Sequence, residues 1–240
     1  MKTLIISPHI DDAMLSLGGW LLQKHVCDIS IVSIFNTAWS CMDKDLQIED
    51  INEINHRENE MVFDLMDYTY TYWDYPEAMA RRYTQWSDAI DFEKDHELIA
   101  VISLKLTELI LGEKYAEVYF PMAIEKHVDH DLIFRIMHNL LCKQKLFTVS
   151  KFYIYEDLPY AYYVNIKDWI EDVRKIYSIQ PYLFDITAQF ARKKELLLLY
   201  KSQITPQDIL AASSYAQRIL PNRYTERVWE IINIHNNNDL

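Results

Sequence analysis

The chain has 240 residues, half of them hydrophobic, which suits one domain with a sizeable core and strains two. A formal net charge of −12 excludes a general nucleic-acid binder, which needs a basic face to displace counterions from phosphates. No run approaches the roughly 20 apolar residues of a spanning helix, and three cysteines without close spacing or a signal peptide imply reduced thiols, so a soluble cytoplasmic protein with Cys27, Cys41 and Cys142 in core packing is expected.

Residues 2–6 are a short apolar run that reads as a buried strand, and residues 13–22 have the apolar spacing of a helix. Between them lies Ser7-Pro8-His9-Ile10-Asp11-Asp12, a histidine and two carboxylates at a strand-to-helix turn. In open parallel sheets that turn, at the carboxyl end of a strand, is where ligands bind. His9 and Asp12 are three apart and can converge on one point, which leaves Asp11 free. An Asp pair at a helix start also serves as a cap.

A β-branched run at residues 27–35 completes a parallel strand–helix–strand crossover. Residues 36–45 form a loop over the same sheet end, where Trp39 acts as a packing anchor or closes the pocket. Residues 46–66 are helical, with Ile48, Ile51, Ile54, Met61, Phe63 and Leu65 as core positions. Arg57, beside Glu58 and Glu60, reads on its own as a solvated helix charge. Residues 68–73 alternate as a strand, and residues 95–112 form a helix with a stripe through Leu98, Val101, Ile102, Leu106, Leu109 and Ile110 that Gly112 would stop. The strand-like run 116–121 then delivers His127-Val128-Asp129-His130, and a helix over 130–142 carries Ile133, Ile136, Met137 and Leu140 inward. His138 on that helix reads as packing or surface, and His25, His56, His96 and His235 lack companions. Further strands are expected at 147–155, 176–186 and 224–232, with helices at 188–202, burying residues 196–199, and from Pro206 to residue 220. Three glycines in all exclude a Gly-rich phosphate loop, and no dinucleotide fingerprint follows the first strand.

A catalytic zinc needs three N or O ligands and one open position. His9, Asp12 and one histidine of the second cluster supply that set, while Asp11 and the other histidine remain for proton transfer and charge stabilisation.

Pro-His-x-Asp-Asp near the amino terminus and His-x-Asp-His after a later strand together resemble the zinc-dependent N-acetylglucosaminyl de-N-acetylases of the PIG-L or LmbE-like family. Residues 56–60 resemble that family's Arg-x-x-Glu helix, residues 194–203 its late Lys-rich helix ending in Tyr-x-Ser-Gln, residues 74–82 a segment lining the substrate site, and residues 155–160 a stretch of some bacterial members. Ile10 stands where the motif has proline, Ala13 where it has glutamate, Val128 where it has proline, and Glu125 where some members place an assisting tyrosine. The resemblance implies a single α/β domain over 1–240 with a mainly parallel, Rossmann-like sheet and helices on both faces. It implies one Zn²⁺ per chain on His9, Asp12 and His130, Asp11 as general base, protonated His127 beside the reacting carbonyl, and Asp129 orienting His127 or His130. Arg57, Arg81, Trp39 and Tyr155 are its candidate substrate contacts. The implied partner is a small acetylated amino sugar or glycoside, with no nucleic acid, and the oligomeric state is open, a homo-oligomer included. Two rivals stand beside deacetylation: a non-catalytic sugar-binding member of the fold and a metal-dependent phosphoesterase.

Overall fold

The computed structural model describes residues 2–24, 29–37, 47–66, 68–143, 146 and 150–235. His25, Cys27, Trp39, Cys41 and the side chain of Ile48 lie outside them. In chain order the elements are β1 (Thr3–Ser7), α1 (Asp12–Leu21), β2 (Ile29–Thr37), α2 (Ile48–Asp64), β3 (Thr69–Pro76), α3 (His96–Glu113) and β4 (Glu117–Pro121). There follow α4 (Val128–Lys143), β5 (Lys151–Tyr155), α5 (Ile166–Ile176), β6 (Tyr177–Asp185), α6 (Phe190–Leu197), α7 (Pro206–Ile219) and β7 (Thr225–Ile234).

The strands form a seven-stranded sheet in the order β3-β2-β1-β4-β5-β7-β6. The first five in that order are mutually parallel, whereas β7 runs antiparallel to both β5 and β6. All five residues of β1 are buried. Successive strand side chains point to opposite faces, so full burial requires both faces of the sheet to be covered. Leu4, Ile5 and Ile6 are wholly buried, each stabilising the fold by about 1.5–3 kcal/mol. The chain runs outward from β1 through β2 to β3, then returns to the other side of β1 for β4 and β5. That reversal creates a crevice between the carboxyl ends of β1 and β4, the place where open α/β sheets bind ligands.

Several expectations shift in register. Helix α3 runs through Gly112 and ends where Lys114 takes a left-handed conformation, φ 55°. A Cβ on Gly112 would meet nothing, so that glycine is not what stops the helix. Helix α6 ends at Leu197 and the chain continues as turns, leaving Leu198 exposed rather than buried. Helix α5 was not anticipated, because its inward Ile170 and Val173 are interspersed with charged residues. Met61, Leu65 and Val101 are exposed, and Cys142 is an exposed residue rather than a core one, its sulfur 3.5 Å from His138 Nε2. His138 is buried and pairs with the Tyr177 hydroxyl at 2.8 Å. Among the described residues no helix is long and apolar enough to cross a membrane.

Candidate metal centre and active site

Four parallel strands deliver side chains to the crevice. His9, Asp11 and Asp12 follow β1, Glu77 and Arg81 follow β3, His127, Asp129 and His130 follow β4, and Asp157 follows β5. The β4–α4 connection is strained, with Ala123, Glu125 and Lys126 all at positive φ (62°, 63° and 56°). Left-handed backbone is costly for residues with a Cβ and persists where surrounding structure enforces it. Here the Asp157 carboxylate accepts the Ile124 N–H at 3.0 Å and the Tyr155 carbonyl accepts the Met122 N–H at 2.9 Å. The adjacent strand therefore holds the loop that presents His127.

His9, Asp12 and His130 could together hold a metal ion. His9 Nδ1 lies 3.4 Å from Asp12 Oδ2, His130 Nε2 lies 3.3 Å from the same oxygen, and the two ring nitrogens are 3.3 Å apart. Ligands about 2.0–2.1 Å from a tetrahedral zinc ion are about 3.3–3.4 Å from one another, so this triangle matches one face of such a tetrahedron. The far nitrogen of each ring is held by a carboxylate, His9 Nε2 by Asp129 at 2.9 Å and His130 Nδ1 by Asp157 at 2.6 Å. This is how metal-binding imidazoles are fixed in tautomer and direction. The Asp129 carboxylate thus orients His9, while its backbone N–H meets His127 Nδ1 at 3.2 Å; His130 is held by Asp157 instead. The Asp129 carboxylate is itself held by Arg81 at 2.7 Å and by the Ala78 N–H at 3.0 Å.

Asp11 occupies the N-cap position of α1 yet its side chain makes no capping bond, which removes the capping reading for that residue. It lines a cavity of about 220 Å³ together with His9, Asp12, Glu77, His127 and Tyr160. Burial and the charge of Asp12 push the Asp11 carboxyl up to about 7. Burial, reinforced by His9 and His130, pushes His127 down to about 3, so its resting imidazole is neutral and the expected imidazolium is not the ground state. His127 Nδ1 accepts the Asp129 backbone N–H at 3.2 Å, which leaves the proton of the neutral ring on Nε2. Burial alone would lower His130, but Asp12 and Asp157 outweigh it and raise it to about 9. Burial likewise opposes charge on His9, and Asp12 and Asp129 still hold it well above 6.5.

Other anticipated contacts fall elsewhere. Arg57 is exposed and pairs with Glu53 at 2.8 Å. The inward face of α2 is Ile51, Asn55, Asn59 and Val62, a three-to-four spacing that puts Arg57 outside it. Arg81 is buried against Asp129 and Asp95 and serves Asp129 rather than the cavity. Tyr155 is wholly buried, its hydroxyl donating to the Ile6 carbonyl at 3.0 Å between β5 and β1. Trp39 lies outside the described residues. Sequence reasoning missed Asp157 as a site residue, although it stands two residues past the end of β5 as His9 stands two past the end of β1. It also missed Glu77, Tyr160 and Trp86, the last stacked on His127 at 5.7 Å. The two further segments of the family resemblance meet each other: Glu58 accepts from the Ser202 hydroxyl at 2.7 Å, Asn59 from Tyr200 at 2.7 Å, and Asn55 from Gln203 at 3.0 Å. That clamp sets Gln203 and Ile204 in the cavity wall.

No family model matches the chain. It is 23% identical over 232 residues to a 2′-N-acetylparomamine deacetylase of Streptomyces fradiae, covering 93% of this chain and 81% of the relative. Its fold superposes on a zinc-inhibited form of teicoplanin deacetylase with a TM-score of 0.78, at 16% identity, over 99% of this chain and 100% of the other. It also superposes on an N,N′-diacetylchitobiose deacetylase of Pyrococcus horikoshii with a TM-score of 0.68, at 17% identity, over 96% and 83% of the two chains. The α/β fold with its mainly parallel sheet is therefore shared with sugar deacetylases, and at these identities the likeness establishes the fold.

Proposed function

We propose that the chain is a zinc-dependent amide hydrolase, working as one domain over residues 1–240, that removes the N-acetyl group from an acetylated amino sugar. The observation that carries this reading is the His9–Asp12–His130 triangle, with tetrahedral edge lengths, opening beside a free carboxylate and a neutral histidine in one cavity. Its donor set of two nitrogens and one oxygen suits zinc, and the sugar deacetylases of the same fold support the reaction class. One ion per chain would sit on His9 Nδ1, Asp12 Oδ2 and His130 Nε2, polarising the amide carbonyl and making water a nucleophile near neutral pH.

The remaining chemistry belongs to the chain. Asp11 takes the proton of the attacking water, as an uncapped carboxylate facing the cavity can, and returns it to the departing nitrogen when the C–N bond breaks. His127 donates from Nε2 to the carbonyl oxygen as negative charge develops there. Trp86 stacks on it at 5.7 Å and Tyr160 lies beside it at 6.4 Å with its ring tilted by 45°, and both limit its motion. Acetate and the free amine are the products. The phosphoesterase reading loses support, because among the described residues neither Lys nor Arg lines the cavity and Arg81 is engaged by two carboxylates. The test is acetate release from a panel of N-acetylated amino sugars by protein of verified metal content; metal-loaded protein that releases none would overturn the reading in favour of sugar binding alone.

A further inference from the structure

The cavity has two kinds of wall. His9, Asp11, Asp12 and His127 form its reacting side, and among the described residues Leu15, Leu158, Pro159 and Ile204 form an aliphatic side. The two sides meet at Asp11. Leu15 follows it by one helical turn, its N–H donating to the Asp11 carbonyl at 2.8 Å, so the two side chains lie one above the other on α1. Leu158 is set against the same helix, its N–H donating to the Ser16 hydroxyl at 3.2 Å, and it directly follows Asp157, which is bonded to His130 and to the Ile124 N–H. Leu15 and Leu158 are only 3% and 4% exposed, so this wall is packed and does not swing aside. Behind it lies a second cavity of about 10 Å³, room for about one water, lined by Ser16, Glu156, Tyr215 and Thr225 among others. Among the described residues Leu158 alone lines both cavities, so its side chain is the partition between them.

We propose that Leu158 is an acyl gate: its side chain ends the space for the acyl chain at the methyl of an acetyl group and so sets chain-length selectivity. This rests on the deacetylase reading and adds to it the residue that measures the group removed. A cavity of about 220 Å³ is smaller than the roughly 300–1,000 Å³ that engulfs a drug-sized ligand, so the bulky amine side of the substrate keeps to the mouth and the acyl side points inward. With the carbonyl between the metal triangle, Asp11 and His127, the methyl meets the aliphatic wall next to Asp11, and a longer chain meets the Leu158 side chain.

The experiment measures kcat/KM on metal-loaded protein for one amino sugar carrying an N-acetyl, N-propionyl or N-butyryl group. Wild type is expected to lose roughly 10-fold or more per added methylene, the usual weight of one methylene in a closed apolar pocket. Leu158→Ala should raise the butyryl-to-acetyl ratio by roughly 10- to 100-fold. Leu158→Val removes a single methylene, keeps the test open where the alanine variant fails to fold, and should raise the propionyl-to-acetyl ratio. A ratio cancels any loss common to all three substrates, including a loss of metal. Ile110→Ala, at a wholly buried position on α3 that lines neither cavity, should lower Tm and keep the wild-type ratios. Wild type that hydrolyses all three amides alike, folded Leu158 variants at the wild-type ratios, or a shift in Ile110→Ala as large as that in Leu158→Ala would overturn the gate and leave deacetylation standing. Release of no acid from any of the three amides would overturn both.

Discussion

At the scale of single residues, adjacent Asp11 and Asp12 show how one turn assigns different tasks to the same side chain. Asp12 points back under His9, accepting its backbone N–H at 2.7 Å, and joins the metal triangle, whereas Asp11 faces the cavity uncapped. Asp11→Asn keeps shape and metal but cannot accept a proton at neutral pH, so kcat should fall by roughly 10²- to 10⁴-fold with metal content unchanged by elemental analysis. A variant retaining most of its turnover would remove Asp11 as the base. Asp157 acts through His130. Asp157→Asn loses the carboxylate that fixes Nδ1, and metal affinity should weaken by about 10- to 100-fold in a competition titration against a chelator.

At the scale of elements, α1 must approach the chain after β6 closely enough that only glycine fits. A Cβ on Gly19 would lie 2.6 Å from Ile186 Cβ, a rigid position near the backbone that cannot swing aside. Gly19→Ala should therefore destabilise by about 1–3 kcal/mol, net of the helical preference of alanine, lowering Tm by about 2–4 °C per kcal/mol. Gly112→Ala meets open space near the end of α3 and should instead stabilise by up to about 1 kcal/mol. Paired thermal melts check the opposite signs. The same closeness is reinforced by Glu226, whose carboxylate accepts the Gly19 and Trp20 N–H groups at 2.8 and 2.7 Å and the buried Lys193 ammonium at 2.7 Å.

At the scale of the whole molecule, the metal centre joins β1 to β4 and β5, so ion binding and folding are linked. In the metal-free protein His130 is raised from 6.5 to about 9 and His9 is raised well above 6.5. Protonated His130 thus contributes stability that is complete below pH 6.5 and is lost as pH rises through 9. A metal ion needs the neutral rings and displaces those protons, so its apparent affinity grows across the same window. The Tm gain on saturating with zinc should be larger at pH 9 than at pH 7, and calorimetry in buffers of different ionisation enthalpy should show proton release at pH 7. An equal gain at both pH values would contradict this linkage.

The sequence by itself determined the alternating elements, the parallel crossover at the amino terminus, and the two clusters that meet at the sheet's carboxyl edge. Such features are local: an apolar run, a helical spacing or a His-x-x-Asp turn expresses its geometry within a few residues. Tertiary structure decided which side chains share a space. Arg57 and Arg81 differ little in sequence from pocket arginines, yet the inward face of α2 turns one to solvent and the buried carboxylates of Asp129 and Asp95 claim the other. Glu77 lies inside segment 74–82 and Asp157 and Tyr160 inside segment 155–160, whose resemblance singled out Arg81 and Tyr155 instead, and only the order β3-β2-β1-β4-β5 brings their strand ends to the same crevice. The protonation state of His127 was equally illegible, because it depends on burial beside His9 and His130, which are 118 and 3 positions away in the chain but at ring separations of 4.9 and 5.0 Å in the fold.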